Sequence, residues 1–275
     1  MQPKQTTVAT TVSYSGIGLH SGQEVAITLH PAPVDTGIVF SRVDLPGAPC
    51  VAAKAQNVTG SMRATTLEDG PAKVFTVEHL LAAFSALGVD NCLVAITAAE
   101  PPIADGSALP FVRLIQEAGM VEQAETVCRD VIVTQAVAVR QADKFITILP
   151  YDGLRITFTS INSHPELGVQ FGDYEITADT FVREIAPART IGFMHEVEAL
   201  KAQGLALGGS FDNAIVYDAE KALTPLRFKD ELVRHKILDI IGDMALAGRV
   251  KGHVIAVKSS HELNTELAKR LIVSV

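Results

Sequence analysis

The two halves of the chain contain predicted elements in the same order. The first half runs as follows: strands between residues 6 and 43, beginning with TVATTVSY, then a helix over 76–88, a strand over 91–97 and a helix over 108–119. The second half repeats the series: strands between 128 and 161, a helix over 228–247, a strand over 252–258 and a helix over 261–272. Strands grouped next to helices indicate an α+β fold. No repeat of residues accompanies this order, so the order alone indicates a duplicated unit.

A sheet with helices on one face must bury that face, and two such units can do so against each other. We therefore predict two similar domains, residues 1–123 and 124–275, packed into a layered sandwich. The long helix of each half would lie where the units meet, which is a usual location for a ligand site. A chain of 275 residues, 48% of them hydrophobic, is long enough for two such cores.

The charge and the cysteines exclude several classes of protein. A net charge of −8 argues against the basic surface of a nucleic-acid-binding protein, so we expect no nucleic-acid partner. No stretch approaches 18 uninterrupted apolar residues, and the N-terminus lacks the apolar core of a secretory signal. We therefore expect a cytoplasmic monomer with no transmembrane segment. The scattered cysteines, Cys50, Cys92 and Cys128, predict neither a disulfide framework nor a cysteine zinc site.

The apolar helix RHKILDIIGDM carries three polar residues at intervals of four: His235, Asp239 and Asp243. At about 3.6 residues per turn, this spacing places all three on one face of the helix. Burying charge is costly unless it is paired or bound to a metal. His235 and Asp239 can both reach one cation, but a catalytic zinc typically takes three protein ligands. A third ligand must therefore come from elsewhere.

The long helix of the first half offers that ligand in VEHLL, next to a face of small residues. His79 can bind a metal there, while Glu78 stands beside it as the general base that a hydrolytic zinc site needs. A helix-surface pair or a core histidine with a hydrogen-bond partner explains the same residues equally well. The spacing alone leaves both interpretations open.

Two further motifs contain glycine or histidine at element boundaries. GIGLHSG, residues 16–22, lacks the spacing of a dinucleotide loop and the ending of a phosphate loop, so it predicts a tight turn between strands. In KSSHELN, Ser259 and Glu262 have capping-box spacing, which places His261 in the first turn of the last helix.

Together these motifs resemble one family. GIGLHSG, TVEHLLAAFSALGVDN, PPIADGSALPF, ARTIGF, GLALGGSFDNAIV, RHKILDIIGDMALAG and KSSHELN occur in the order and spacing of the zinc-dependent UDP-3-O-acyl-N-acetylglucosamine deacetylases. The resemblance covers almost all of the chain. It implies Zn²⁺ as cofactor, UDP-3-O-acyl-N-acetylglucosamine as substrate, and removal of its acetyl group in the committed step of lipid A synthesis.

The resemblance also implies roles for individual residues. The zinc ligands would be His79, His235 and Asp239. Glu78 would be the general base and Thr190 the hydroxyl donor to the tetrahedral oxyanion. His261, when protonated, would stabilise that oxyanion or protonate the leaving amine, with Asp243 as its carboxylate partner.

For the substrate, the resemblance indicates cations for the diphosphate and apolar residues for the sugar and acyl chain. The cations would be Lys236 and Lys258, with Lys144 as a further candidate. Ile191, where the family often has an aromatic residue, and Phe193 are expected to contact the substrate. The segment around 191–203 would contribute an acyl passage. Asn162 stands where the family has a phenylalanine that stacks on uracil, so uridine contacts are expected to differ.

Two other functions fit part of the pattern: a nucleotide-sugar or lipid-binding protein without catalysis, and a zinc amidase acting on another amide. A pure binder has no use for a base, an oxyanion donor and an acid together, and Glu78, Thr190 and His261 supply all three. The HExxH motif of many zinc peptidases is absent.

Overall fold

The computed structural model describes residues 4–127 and 130–274. The first half contains these elements: β1 Lys4–Val8, β2 Val12–Ile17, β3 Glu24–Pro31, β4 Ile38–Arg42, β5 Cys50–Ala52, β6 Val58–Gly60, β7 Thr66–Asp69, β8 Ala72–Phe75, α1 Glu78–Leu87, β9 Cys92–Ile96, α2 Leu109–Ala118 and β10 Met120–Val127. The second half contains β11 Asp130–Ile132, β12 Val137–Gln141, β13 Lys144–Leu149, β14 Leu154–Ile161, β15 Val169–Glu175, α3 Ala178–Thr180, β16 Ile191–Phe193, α4 Met194–Ala202, β17 Ile215–Tyr217, α5 Glu231–Met244, β18 Arg249–Val257 and α6 His261–Ser274.

Each half has one principal sheet, and the two sheets have the same strand order. The first runs β2-β3-β9-β4-β5 and the second β12-β13-β18-β14-β15, with β11 also paired to β18. In both orders, the third and fourth strands are parallel and every other adjacent pair is antiparallel. The additional strand β11 pairs with β18 in parallel. A parallel pair needs a crossover, and α1 and α5 lie within these two crossovers. The α+β prediction is confirmed; the division into domains 1–123 and 124–275 stays a prediction.

One apolar core joins the inner faces of the sheets to the helices. In β3, Val25, Ile27 and Leu29 are buried, while the residues between them are partly exposed. This alternation turns one face of the sheet inward. The first seven residues of α1 are all buried, as are twelve of the fourteen in α5. These two helices therefore lie inside the molecule, where any charged group must find a partner.

Gly242 sets how closely α5 crosses α1. A Cβ atom at this position would lie 2.0 Å from the carbonyl oxygen of Glu78. Any larger residue would push the helices apart at the point where Glu78 and His79 meet the polar face of α5. The glycine in RHKILDIIGDM therefore has a packing role that the helix pattern does not reveal.

The run TVATTVSY, predicted as one strand, is divided between two sheets. β1 pairs with β10, whereas β2 pairs with β3. Between them, the N–H groups of Ala9 and Thr10 donate to the carbonyls of Gly119 and Ala118 at the end of α2. These bonds hold the chain against α2, so the single-strand prediction was wrong.

Several short elements carry too few residues to show a hydrophobic period. They are the strands of the sheet β6-β7-β8 and of the parallel pair β16 and β17. The helix α4 has nine residues but no buried face. Among the described cysteines, Cys50 and Cys92 are free thiols, and Cys128 lies outside the described residues. Within ranges 4–127 and 130–274, no helix is both long enough and apolar enough to cross a membrane.

We predict that Gly242→Ala destabilises the protein by about 2 kcal/mol or more, because the new methyl group would overlap the carbonyl of Glu78. This penalty must exceed the roughly 1 kcal/mol by which alanine is the better helix former. Chemical denaturation would measure it. Gly192→Ala, whose methyl group would enter open space, is the matched control. Equal stability of the two variants would contradict the proposed packing role.

Candidate active site

α1 and α5 bring together three side chains of types that can bind a metal ion. His79 lies on α1, one residue after Glu78, and His235 and Asp239 lie one turn apart on α5. The Nε2 atoms of His79 and His235 are 3.8 Å and 3.4 Å from Asp239 Oδ1, and one ligand atom from each residue lies within 4.8 Å of the others. All three side chains are buried. The arrangement matches the ligand set expected from the sequence.

The unsatisfied atoms of this cluster fit a cation. His235 Nδ1 lies 3.1 Å from the carbonyl oxygen of Ala188. Donation from Nδ1 to this carbonyl leaves Nε2 with a lone pair directed at Asp239. Asp239 Oδ1 is buried and has no hydrogen-bond partner among the described residues. Two acceptors that face each other in a buried site repel unless a donor or a cation lies between them, and a cation satisfies both.

The pKa values of these groups favour the ligand forms. Burial, together with His235, lowers the pKa of His79 to about 3, so this imidazole is neutral. Burial also lowers the pKa of His235. Burial alone would raise the pKa of Asp239, but Lys236 and the neighbouring imidazoles outweigh it and hold the pKa of this carboxyl below its usual range. Neutral imidazoles and an ionised carboxylate are the forms that bind a metal.

A buried ion pair in the ARTIGF motif holds the carbonyl that contacts His235. Arg189 donates from its backbone N–H and its Nε to Glu231 Oε1, at 3.1 and 2.9 Å. Glu231 is in the first turn of α5. The pair therefore fixes Ala188 and Thr190, the neighbours of Arg189, against the helix that carries His235 and Asp239.

Glu78, His261 and Asp243 form a second polar group beside the cluster. His261 Nε2 lies 3.8 Å from Glu78 Oε1, and its Nδ1 lies 2.9 Å from Asp243 Oδ2. Burial raises the pKa of Glu78, although His261 opposes the shift. Burial alone would lower the pKa of His261, but Asp243 and Glu78 outweigh it and raise the value. A protonated imidazole therefore faces a carboxylate of increased basicity.

Thr65 contacts both carboxylates of this group, and its role does not follow from any sequence pattern. Its N–H donates to Glu78 Oε2 at 3.1 Å, and its hydroxyl donates to Asp243 Oδ1 at 2.5 Å. Thr65 lies in a loop, directly before β7, and belongs to no motif that predicts a functional role. It lies 13 residues from Glu78 and 178 from Asp243, so no periodicity links the three.

KSSHELN places His261 at the start of α6, as predicted. The bond made by Ser259, however, differs from a capping box. Its hydroxyl donates to Asn264 Oδ1 at 2.6 Å, and Asn264 Nδ2 in turn donates to Asp243 Oδ2 at 2.9 Å. A side-chain relay that supports Asp243 thus takes the place of the predicted cap.

GIGLHSG forms the turn between β2 and β3, which confirms the prediction. The N–H groups of His20 and Ser21 donate to the carboxylate of Glu100 at 2.8–3.1 Å. A Cβ on Gly18 would overlap Ser21 Oγ and Glu100 Oε2, so a larger residue there would displace side chains of this turn. The donors that a phosphate loop would offer to a ligand are occupied by the protein's own carboxylate.

A cavity of about 800 Å³ opens beside the cluster and receives side chains from both halves. Its wall includes most of the residues predicted from the sequence: Glu78, His79, Lys144, Thr190, Ile191, Phe193, His235, Lys236, Asp239, Lys258 and His261. Asp243 is behind His261, outside the wall. Asn162 also lines the cavity, and its Oδ1 accepts the N–H of His164 at 2.8 Å.

Two of the three predicted lysines have carboxylate partners. Lys236 Nζ lies 2.8 Å from Asp239 Oδ2, and Lys258 pairs with Asp143. Lys236 therefore also compensates the charge of the Asp239 carboxylate. The sequence indicated these lysines only as phosphate contacts. The Lys236–Asp239 pair has the i,i+3 spacing of helix neighbours, whereas 115 residues separate Lys258 from Asp143, so no spacing indicates that pair.

The apolar wall of the cavity comes from α4 and the segments around it. Met194, Val197 and Leu200 of α4 line it with Phe211 and Val216. All nine residues of α4 are at least partly exposed. The segment 191–203, expected to contribute an acyl passage, therefore borders the cavity.

A buried His-His-Asp cluster beside a carboxylate and an imidazole, in a cavity of this size, has the composition of a metal-assisted hydrolytic site. The sequence model of the UDP-3-O-acyl N-acetylglycosamine deacetylases matches residues 5–273. The chain therefore belongs to this family.

Curated relatives agree with that membership, and three of them have the name UDP-3-O-acyl-N-acetylglucosamine deacetylase. The protein of Marinobacter nauticus is 46% identical over 273 residues, that of Hahella chejuensis 45% over 278, and that of Thioalkalivibrio sulfidiphilus 46% over 274. Each alignment covers 98% of this chain and 90% of the relative.

We predict that His79→Ala and Asp239→Ala each lose bound metal, because two remaining ligands hold a divalent ion poorly. Elemental analysis of the purified variants would measure metal per chain. His30→Ala, which removes a histidine on β3 whose ring lies 3.3 Å from the Thr11 hydroxyl, should retain the full content. Stoichiometric metal in either ligand variant would contradict the assignment.

Proposed function

We propose that this protein is a zinc-dependent hydrolase that removes the N-acetyl group from UDP-3-O-acyl-N-acetylglucosamine, giving UDP-3-O-acyl-glucosamine and acetate in lipid A biosynthesis. The observation that carries the proposal is the His-His-Asp cluster beside Glu78 and His261 in a member of this family. His79, His235 and Asp239 would hold the zinc ion. When bound, zinc supplies Lewis acidity and makes a water nucleophilic near neutral pH.

Glu78 is the proposed general base. Its carboxylate accepts a proton from the water that attacks the acetamide carbonyl carbon. A base whose pKa is raised toward neutrality accepts that proton more readily than an exposed glutamate would. Burial beside the metal ligands supplies this shift, so the position of Glu78 in the first turn of α1 matters directly to the chemistry.

His261 and Thr190 are the proposed partners of the charge that develops on the substrate. The Thr190 hydroxyl donates to the oxyanion of the tetrahedral intermediate. His261 stabilises the same oxyanion or protonates the amine nitrogen from Nε2, after which the C–N bond breaks and acetate leaves. Asp243 keeps a proton on Nδ1 of His261, at 2.9 Å, and so orients the ring.

Substrate binding would use the rest of the cavity wall. In a protein with a net charge of −8, the diphosphate depends on local cations, for which we propose Lys236, Lys258 and Lys144. Ile191 and Phe193 would pack on the sugar or the acyl chain. The apolar side chains of α4 would line the path of the acyl chain from the cavity to the surface. We also propose that the protein works in the cytoplasm as a monomer.

The first test measures acetate release from UDP-3-O-acyl-N-acetylglucosamine before chelation, after chelation, and after one equivalent of zinc is restored. We expect turnover that disappears with the chelator and returns with zinc. Other acetylated amides, offered in competition, distinguish this activity from that of a general amidase. Folded, zinc-loaded protein without turnover would instead support a non-catalytic binding protein.

We predict that His261→Ala lowers kcat by about 100-fold or more and leaves KM nearly unchanged, because a general acid acts in the transition state. Steady-state kinetics would measure both constants. His253→Ala, which removes a histidine that contacts Thr157 on the C-terminal sheet, is the control. A larger effect on KM than on kcat would make His261 a binding residue.

A further inference from the structure

Thr65 is a fully buried residue that connects two carboxylates from different helices. It lies at the end of the loop between β6 and β7. Glu78, on α1, receives its backbone N–H, and Asp243, on α5, receives its hydroxyl. The loop thus contacts both helices where they cross.

The bond from the Thr65 N–H holds the carboxylate plane of Glu78 so that one oxygen stays toward His261. Oε2 accepts this N–H at 3.1 Å, and Oε1 lies 3.8 Å from His261 Nε2. Rotation of the carboxylate would break the first contact and leave the buried N–H of Thr65 without an acceptor. Thr65 therefore keeps one oxygen of Glu78 directed toward His261.

The Thr65 hydroxyl completes the hydrogen bonding of Asp243. An ionised carboxylate only accepts hydrogen bonds, so the hydroxyl is the donor in the 2.5 Å contact to Oδ1. Oδ2 accepts from His261 Nδ1 and Asn264 Nδ2, both at 2.9 Å. With both oxygens bonded in a fully buried position, Asp243 cannot turn away from His261 without leaving an acceptor unsatisfied.

We propose that Thr65 is a positioning residue: it holds the proposed base Glu78 and, through Asp243, the proposed acid His261 in a fixed relative orientation. The roles of these two residues rest on the function proposed above. The two contacts of Thr65 with their carboxylates do not depend on it.

Substitutions of Thr65 distinguish the effect of its hydroxyl group from the effect of its side-chain shape. Thr65→Val keeps the backbone N–H and the branched side chain but removes the bond to Asp243, whereas Thr65→Ser keeps both donors. Thr66→Val makes the same change at the next residue, on β7, and should leave turnover unchanged. If Thr65→Val fails to fold, Thr65→Ala removes the same hydroxyl with a smaller side chain.

We expect Thr65→Val to lower kcat by about 10- to 100-fold, in the range that follows displacement of catalytic groups by an ångström or less. KM and bound zinc should stay near wild-type values, and Thr65→Ser should recover most of the rate. The proposal is wrong if Thr65→Val keeps the wild-type kcat, if only its KM or zinc content changes, or if serine is no better than valine.

A second readout needs no turnover. The Nδ1 proton of His261, in its hydrogen bond to Asp243, should give a low-field proton NMR signal in the zinc-loaded protein, assigned by its loss in His261→Gln. We expect this signal to persist in Thr65→Ser and to shift or broaden in Thr65→Val. An unchanged signal in Thr65→Val would overturn the positioning role. If the wild-type protein shows no deacetylation, the proposed function is wrong. The NMR signal, compared between Thr65→Ser and Thr65→Val, would still test the positioning role of Thr65.

Discussion

The contact between α1 and α5 at Gly242 is the constraint on which the site depends. The helix backbones can approach because position 242 has no side chain, and a Cβ there would lie 2.0 Å from the carbonyl oxygen of Glu78. His79 and Asp239, which belong to different halves of the chain, thereby come within 3.8 Å. A local packing rule, small residues where backbones meet, thus determines where the chemistry can take place.

The same contact buries more negative than positive charge, so the surrounding residues neutralise the carboxylates only in part. Three buried carboxylates, Glu78, Asp239 and Asp243, face two cationic groups, Lys236 and His261. When all three carboxylates are ionised, one negative charge remains uncompensated in a region where such a charge is costly. A divalent ion reverses that balance and leaves a positive surplus. A site with that surplus favours the oxyanion that forms during amide hydrolysis.

The parts of the site that follow a helical period could be predicted, and the parts built by loops could not. The four-residue spacing of His235 and Asp239, with the matching position of Glu78–His79 in the other half, makes a metal cluster one of two interpretations, and the family resemblance favours that one. Thr65 could not be predicted because it lies in a loop of the three-stranded sheet, whose strands are too short to show a pattern. This sheet places Thr65 next to Glu78 and Asp243. The contact of Glu100 with the GIGLHSG turn could not be predicted either, because Glu100 lies 80 residues from His20 and no local pattern links the two.

A metal held by His79 on α1 and by His235 and Asp239 on α5, as proposed, would cross-link the two halves of the molecule. An ion that binds only the folded state raises the free energy of unfolding in proportion to the logarithm of its free concentration once it exceeds the dissociation constant. Metal supply would then set how much of this protein is folded as well as how much is active. The metal-free protein would then unfold more often, and the unfolded form is the one that proteases cleave.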